Sequence, residues 1–230
     1  SSLIDVIRNE CLWGIDAGKS PPIARIARIN MFLHGDGGSR IYFADSLDKQ
    51  LQIEAGIDEE LKRDREELRT KIVEEKLLFD VVLTNPPFAM TYEKKNPKEK
   101  RILEQYELAY EERGETKRLK SSLRSSVMFL ERYYELLKPY GKLLTIIDES
   151  ILNTDSNKPI RDWIKRKFIV KAVISLPRNT FVNAESAMKT SILCLVKKWV
   201  EDEQQPAIFM AISKNVGHND AGRPTPKEND

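Results

Sequence analysis

A short apolar strand that runs into two prolines is the stretch that most constrains the fold. Residues 79–83 read Phe-Asp-Val-Val-Leu, an apolar and partly β-branched run that is typical of a buried parallel strand. The tetrapeptide Asn-Pro-Pro-Phe follows at residues 85–88, and because proline cannot donate to a sheet ladder, the strand ends there. In open α/β sheets, ligands bind at the carboxyl ends of the strands. The sequence therefore predicts a ligand-binding loop at residues 85–88.

The groups of this tetrapeptide are suited to activating an exocyclic amine. Such an amine, for example N6 of adenine, is a poor nucleophile because its lone pair is delocalised into the ring. The side-chain oxygen of Asn85 and the carbonyl of Pro86 can each accept a hydrogen bond from it, which favours the state in which positive charge grows on the nitrogen. Pro86 and Pro87 have a fixed φ, and Phe88 offers a flat face on which an extruded base can stack. The alternative interpretation is a Pro-Pro turn that merely ends a strand.

Strands and helices alternate along the rest of the chain. Apolar spacing, caps and breakers predict helices at 23–35, 58–76, 125–137 and from 159 onward, with strands at 11–15, 40–43, 142–147, 169–175 and 191–198. Ser125 or Ser126 is the predicted cap of the third helix. The loop before the last strand is too short for a helix, which predicts an antiparallel hairpin at the sheet edge. The whole pattern indicates an α/β protein with a doubly wound, mostly parallel sheet.

Length and composition predict a soluble globular protein. The chain has 230 residues, of which 40% are hydrophobic and 32% charged. We expect one main domain at residues 1–200 that contains a mobile insertion at 89–122, and a partly disordered extension at 201–230. No apolar run approaches the roughly 20 residues of a membrane span. Cys11 and Cys194 are expected as buried free thiols in a reducing cytoplasm, and no metal-ligand spacing occurs.

Charged residues follow the predicted strands and the tetrapeptide. Asp16 comes after the first strand, where a carboxylate can bond both hydroxyls of a ribose; Asp45 comes after the second. The alternative for each is a turn or helix-cap aspartate. Basic residues directly after the tetrapeptide predict contacts with phosphate, with a solvated helix face as the alternative. They are Lys94, Lys95, Lys117, Arg118 and Lys120.

Several longer stretches, together with the tetrapeptide, resemble the N6-adenine DNA methyltransferases, specifically the modification subunit of type I restriction-modification systems. The stretches are 14–16 (GID), 23–35 (IARIARINMFLHG), 41–47 (IYFADSL), 127–148, 174–198 and 208–223. The resemblance implies a class I, Rossmann-like methyltransferase domain that transfers a methyl group from S-adenosyl-L-methionine to N6 of adenine in DNA. It implies a cofactor site at Asp16, Asp45, Ser46 and Asn85, with Asp45 bonded to the adenine amine of the cofactor. The implied partners are double-stranded DNA with a flipped adenine, a specificity subunit and a restriction subunit.

One part of the family pattern is missing from this sequence. The family opens its fold with a strand and a glycine-rich turn of the type D-x-x-C/A-G-x-G, and no such turn occurs here. We therefore expect the chain to lack the first strand, which is central in the family, and half of the cofactor pocket. Two other functions stay open: methylation of another planar amine or amide, in RNA or protein, and a non-catalytic or truncated fragment that acts as an assembly surface. The first usually has Tyr in place of Phe88.

Overall fold

Helices and strands alternate along the described chain of the computed structural model, which comprises residues 2–18, 23–35, 40–53, 57–184, 188–219 and 221–229. The strands are β1 (Trp13–Asp16), β2 (Arg40–Phe43), β3 (Phe79–Thr84), β4 (Thr91–Glu93), β5 (Tyr110–Arg113), β6 (Thr116–Leu119), β7 (Ser122–Arg124), β8 (Leu137–Asp148), β9 (Phe168–Ser175), β10 (Thr190–Lys197), β11 (Phe209–Ile212), β12 (Val216–His218) and β13 (Pro224–Asn229).

The α-helices are α1 (Leu3–Val6), α2 (Ile23–Leu33), α3 (Glu59–Arg69), α4 (Pro97–Leu103), α5 (Ser125–Leu136), α6 (Glu149–Asn153) and α7 (Lys158–Lys167). Wider π-type turns cover Ile7–Cys11 and Thr70–Glu74, and tighter 3₁₀ turns cover Glu107–Ala109, Asp155–Asn157 and Arg178–Ala184. The chain divides into two compact units, Ser1–Leu77 and Leu78–Asp230.

The first unit is built on the parallel pair β1 and β2, with Asp16 opposite Phe43 at its carboxyl edge. Helix α2 contacts this pair through Arg28, whose Nε donates to the carbonyl of Ile41 over 2.6 Å. Helix α3 contacts it through Glu67, which accepts a 2.9 Å hydrogen bond from the Tyr42 hydroxyl. Burial and the neighbouring Glu67 carboxylate raise the pKa of Tyr42, so the hydroxyl keeps its proton and stays a donor.

The second unit is built on a five-stranded mixed sheet with the order β11-β9-β10-β8-β3. Strands β3 and β8 are parallel, as are β9 and β11, whereas β10 is antiparallel to both of its neighbours. Its buried apolar side chains include Leu143, Leu193, Leu195 and Phe168 at the start of β9, whereas those of Leu83 and of the edge strand β11 are largely exposed. The α/β class predicted from the sequence is confirmed.

The predicted antiparallel hairpin is formed by β9 and β10, but it is not outermost in the sheet. Strand β10 lies between β8 and β9, and β11 pairs with the other side of β9. A short loop forces the two hairpin strands to be neighbours, yet it does not decide on which side of the first strand the second one lies. Because β11 belongs to residues 201–230, the predicted extension contributes an edge strand to the main sheet.

The predicted insertion at 89–122 contains regular structure despite its charge. It comprises the β4–β7 ladder, α4, and the β5–β6 hairpin. Leu103, Tyr106 and Ala109 are buried, which gives the segment an apolar contact surface that its polar composition conceals. Its mobility stays a prediction.

Two smaller expectations are also decided by the structure. Cys11 lies in the turn Ile7–Cys11 and is exposed, so the prediction of a buried strand cysteine was wrong there; Cys194 lies in β10 and is half-buried. The strand predicted at residues 11–15 begins two residues later, at Trp13. Within the described ranges, no helix is long and apolar enough to cross a membrane.

Candidate functional site

The tetrapeptide lies where the sequence placed it, at the carboxyl end of β3. Thr84, the last residue of β3, is opposite Thr145 of the parallel strand β8, so the two strands approach the same edge of the sheet. Asn85 follows one strand at this edge, and Asp148 ends the other. The loop is thus flanked by the end of a neighbouring strand, as in the ligand sites of open α/β sheets.

The four residues of the loop differ in their exposure. Asn85 and Pro87 are exposed, Pro86 is buried and Phe88 is half-buried. The ring of Phe88 contacts that of Phe181, with centroids 6.2 Å apart and planes tilted by 57°. Phe181 lies in the turn Arg178–Ala184, which follows β9. The loop therefore combines an exposed Asn85 with one ring of an aromatic pair.

Helix α5 holds the loop on both sides. The hydroxyls of Tyr133 and Thr84 share a 2.6 Å hydrogen bond just before Asn85, and burial raises the pKa of Tyr133. After the prolines, the Ser125 hydroxyl donates to the carbonyl of Pro87 over 2.8 Å. The backbone N–H of Ser125 donates to the carbonyl of Met90 over 2.9 Å. Three hydrogen bonds from one helix therefore hold the loop at Thr84, Pro87 and Met90, on either side of Asn85 and Pro86.

A buried carboxylate lies beneath the first turn of the same helix. Asp148 is 1% exposed, and its Oδ1 accepts a 3.1 Å hydrogen bond from Arg124 and another from the hydroxyl of Ser150. Its Oδ2 accepts a 3.2 Å hydrogen bond from Ser126. A buried charge is tolerated only when it is paired and hydrogen-bonded, and Asp148 meets both conditions. The network fixes the amino terminus of α5 to the end of β8.

The prediction that Ser125 or Ser126 caps α5 was wrong. Arg124 occupies the cap position, and no side chain caps the helix there. Ser125 and Ser126 follow the cap position, and their hydroxyls donate to other elements instead of capping the helix. No local signal indicates this, because a hydroxyl near a helix start is typical of a cap.

Asp16 and Asp45 lie at the carboxyl edge of the β1–β2 pair, as predicted. Each makes a turn contact of the kind proposed as the alternative: Asp16 Oδ1 accepts from the N–H of Gly18 over 2.7 Å, and Asp45 Oδ1 accepts from the N–H of Leu47 over 3.0 Å. Ser46 lies inside the second of these turns and is half-buried. The described turn contact engages one oxygen of each carboxylate, and both side chains are only half-buried. Two carboxylates are suitable acceptors for hydrogen bonds donated by the hydroxyl and amine groups of a nucleoside.

The predicted basic residues fall into two groups that meet at one backbone contact. The N–H of Lys94 donates to the carbonyl of Ser121 over 2.8 Å, so the stretch after β4 lies beside the stretch before β7. Lys117 and Arg118 are exposed on β6, opposite Glu112 and Glu111 of β5.

Two of the lysines make contacts within the fold. Lys95 forms a 2.6 Å ion pair with Glu93, and this hydrogen bond raises its pKa. The ammonium of Lys120 donates to the carbonyl of Leu108 over 2.7 Å, and partial burial lowers its pKa. Lys94, Lys117 and Arg118 are exposed. Within the described residues, no group of three or more His, Cys, Asp or Glu side chains could hold a metal ion.

The chain matches a known protein family over nearly its whole length. A model of the family described as N-6 DNA methylase matches residues 5–229, and the chain therefore belongs to that family. No match was found among curated proteins.

Solved structures of restriction-modification proteins share the fold. A chain from a study of complex assembly and conformational transition in a type I restriction-modification system is similar at a TM-score of 0.67 and 17% identity, over 98% of this chain and 38% of the other. A protein of Vibrio vulnificus YJ016, assigned as a type I modification subunit, is similar at a TM-score of 0.66 and 18% identity, over 99% of this chain and 41% of the other. The DNA-bound type ISP enzyme LlaBIII is similar at a TM-score of 0.63 and 15% identity, over 93% of this chain and 16% of the other. The chain thus spans about two fifths of the first two relatives.

The Asp148 network yields a stability prediction. Replacing Arg124 with Met leaves a buried carboxylate without its counter-charge, and we expect the free energy of unfolding to fall by about 2–3 kcal/mol. The measurement is urea unfolding followed by circular dichroism. The matched control is Lys138→Met, which breaks an exposed ion pair with Asp80 and should cost less than about 1 kcal/mol. Equal losses in the two variants would contradict a special role for the buried pair.

Proposed function

We propose that this chain catalyses methyl transfer from S-adenosyl-L-methionine to N6 of adenine in DNA, as part of a type I restriction-modification system. The observation that carries the proposal is the loop after β3, in which an exposed Asn85 is followed by a buried Pro86, by Pro87, whose carbonyl accepts a hydrogen bond, and by Phe88. Membership of the N-6 DNA methylase family supports the same reaction.

The loop supplies the acceptor side of the reaction. The Asn85 side-chain oxygen and the Pro86 carbonyl accept the two N–H groups of the amine, which frees its lone pair to point at the methyl carbon. The base leaves the duplex to reach this loop and stacks on Phe88, with Phe181 limiting its position on one side. The amine becomes cationic as the new C–N bond forms and then loses a proton, so no strong base is needed.

Asp16, Asp45 and Ser46 would hold the cofactor. The Asp16 carboxylate at the end of β1 would accept hydrogen bonds from the ribose hydroxyls, and Asp45 after the adjacent strand would accept one from the adenine amine. When bound, S-adenosyl-L-methionine supplies a methyl group on a sulfonium sulfur, which keeps the bonding electron pair and leaves as a thioether. Asn85, next to the reacting amine, would also contact the cofactor.

DNA and further subunits are the proposed partners. Lys117 and Arg118 on β6, together with Lys94 and Lys95 after β4, would contact phosphates near the flipped base. Lys120, whose ammonium is engaged with Leu108, would contribute mainly through its charge. A specificity subunit and a restriction subunit are proposed as partners from the likeness to type I restriction-modification proteins.

The amine acceptor can be tested by removing it. Replacing Asn85 with Ala removes one of the two acceptors, and we expect methyl transfer to fall at least about a hundredfold while cofactor affinity changes little. The measurement is transfer of tritium from labelled S-adenosylmethionine to unmethylated genomic DNA, with nucleoside analysis for N6-methyladenine. Asn153→Ala, an exposed residue at the end of α6, is the control. Turnover like wild type in the Asn85 variant would overturn the mechanism, and methyl groups found on RNA or protein amides would favour the other substrate class.

A second substitution separates the turn role of Asp16 from its cofactor role. In Asp16→Asn the amide oxygen still accepts from the Gly18 N–H, but the NH2 group cannot accept a ribose hydroxyl. We expect an unchanged melting temperature and a dissociation constant for S-adenosylmethionine that is higher by about tenfold or more. Calorimetric titration measures it, and Asp202→Asn in an exposed turn is the control. Wild-type protein that binds no cofactor would favour the non-catalytic assembly function.

The proposed DNA contact predicts a change in salt dependence. The double variant Lys117→Ala, Arg118→Ala should weaken binding to a labelled duplex and reduce the slope of log K against log salt by about one for each phosphate that these side chains neutralise. Fluorescence anisotropy at several salt concentrations measures the slope. The control is Lys165→Ala, Lys171→Ala, which removes the same charge from exposed positions on α7 and β9. An equal change of slope in both double variants would show that only net charge matters.

A further inference from the structure

The two prolines of the loop leave one backbone rotation without a local restraint. Proline fixes its own φ, and a residue that precedes proline is confined to extended conformations. Asn85 and Pro86 both precede a proline, so their ψ angles are restricted by the sequence alone. Pro87 precedes Phe88, and its ψ angle therefore has no such restriction. That angle sets the direction in which the chain, and with it the ring of Phe88, leaves the loop.

One side chain from another element holds this rotation. The hydroxyl of Ser125 donates to the carbonyl of Pro87 over 2.8 Å, and the orientation of that carbonyl is what the ψ angle of Pro87 determines. Ser125 is fully buried, so water does not compete for the contact. Three residues after Pro87, the carbonyl of Met90 accepts a hydrogen bond from the Ser125 N–H, and the next residue, Thr91, pairs with Arg124. Phe88 therefore lies in a short span that is held at both ends by residues 124–125.

We propose that Ser125 is a positioning residue, which sets the direction of Phe88 by fixing the carbonyl of Pro87. The inference rests on the proposed function, since it concerns how the loop presents the ring to a flipped base. Ser125 does not touch the reacting atoms. Its effect passes through Pro87 and Phe88, while the acceptors Asn85 and Pro86 are held by the prolines and by the Tyr133 contact with Thr84.

A neighbouring serine provides a matched control. Ser126 is in the same helical turn and is 2% exposed, but its hydroxyl donates to Asp148 rather than to the loop. Ser125→Ala and Ser126→Ala each remove one buried hydroxyl and one hydrogen bond. A purely structural role for Ser125 predicts the same behaviour for both variants.

The experiment combines hydrogen exchange with steady-state kinetics of methyl transfer to DNA. We expect Ser125→Ala to speed amide exchange at residues 88–90 and to lower kcat by roughly tenfold or more, with the KM for S-adenosylmethionine unchanged. Ser126→Ala should leave exchange at 88–90 and kcat near wild type. The melting temperature of Ser126→Ala should fall at least as far as that of Ser125→Ala, because the Ser126 hydroxyl donates to a buried carboxylate.

The two parts of the experiment can fail separately. Exchange at residues 88–90 that is unchanged in Ser125→Ala, or raised equally in Ser126→Ala, would overturn the positioning role. Wild-type protein that methylates no adenine, with faster exchange in Ser125→Ala alone, would overturn the proposed function instead. A rise in the cofactor KM of Ser125→Ala at constant kcat would also overturn the inference, because it would place the effect on the methyl donor.

Discussion

The parallel pairing of β3 with β8 is the constraint on which the candidate site depends. Two parallel neighbours need a crossover, and the helix of a crossover runs antiparallel to the strands it joins. Helix α5 enters β8 without a loop, since Leu136 ends the helix and Leu137 begins the strand. Its amino terminus therefore lies at the edge where β3 ends. The contacts of Ser125 with the loop and of Ser126 with Asp148 follow from that topology.

The same topology explains how a long insertion can interrupt the crossover. Between the loop and α5 the chain makes the excursion 91–124, and the β4–β7 ladder joins its two ends, with Thr91 opposite Arg124. Because the ladder closes the excursion where it begins, changes within the excursion need not move the loop. The basic residues of β6 lie on this excursion. The surface proposed for DNA and the loop proposed for catalysis are therefore both anchored at the β4–β7 ladder, although they belong to different segments of the chain.

The sequence predicted the elements with strong periodicity or a distinctive motif, and it failed where contacts between distant residues decide. Helices α2, α3 and α5 and the strand before Asn85 follow from local spacing. The roles of Ser125 and Asp148 do not follow from local spacing. A hydroxyl near a helix start indicates a cap as long as its actual hydrogen-bond partner is unknown. The aromatic contact of Phe181 with Phe88 joins segments that are far apart in the sequence, and the charge of Lys120 gave no sign of its bond to Leu108.

The turn contacts of Asp16 and Asp45 need not compete with the cofactor role proposed for them. Asp16 and Asp45 were predicted as either turn residues or cofactor ligands, yet each turn contact engages one carboxylate oxygen. A side chain that is already bonded to its own backbone loses less rotational freedom when a ligand arrives, and a pre-organised group binds more tightly for the same contacts. The same reasoning applies to the loop after β3, where prolines restrict Asn85 and Pro86 and a helix restricts Pro87. In both places the fold orders the polar groups before any substrate is present.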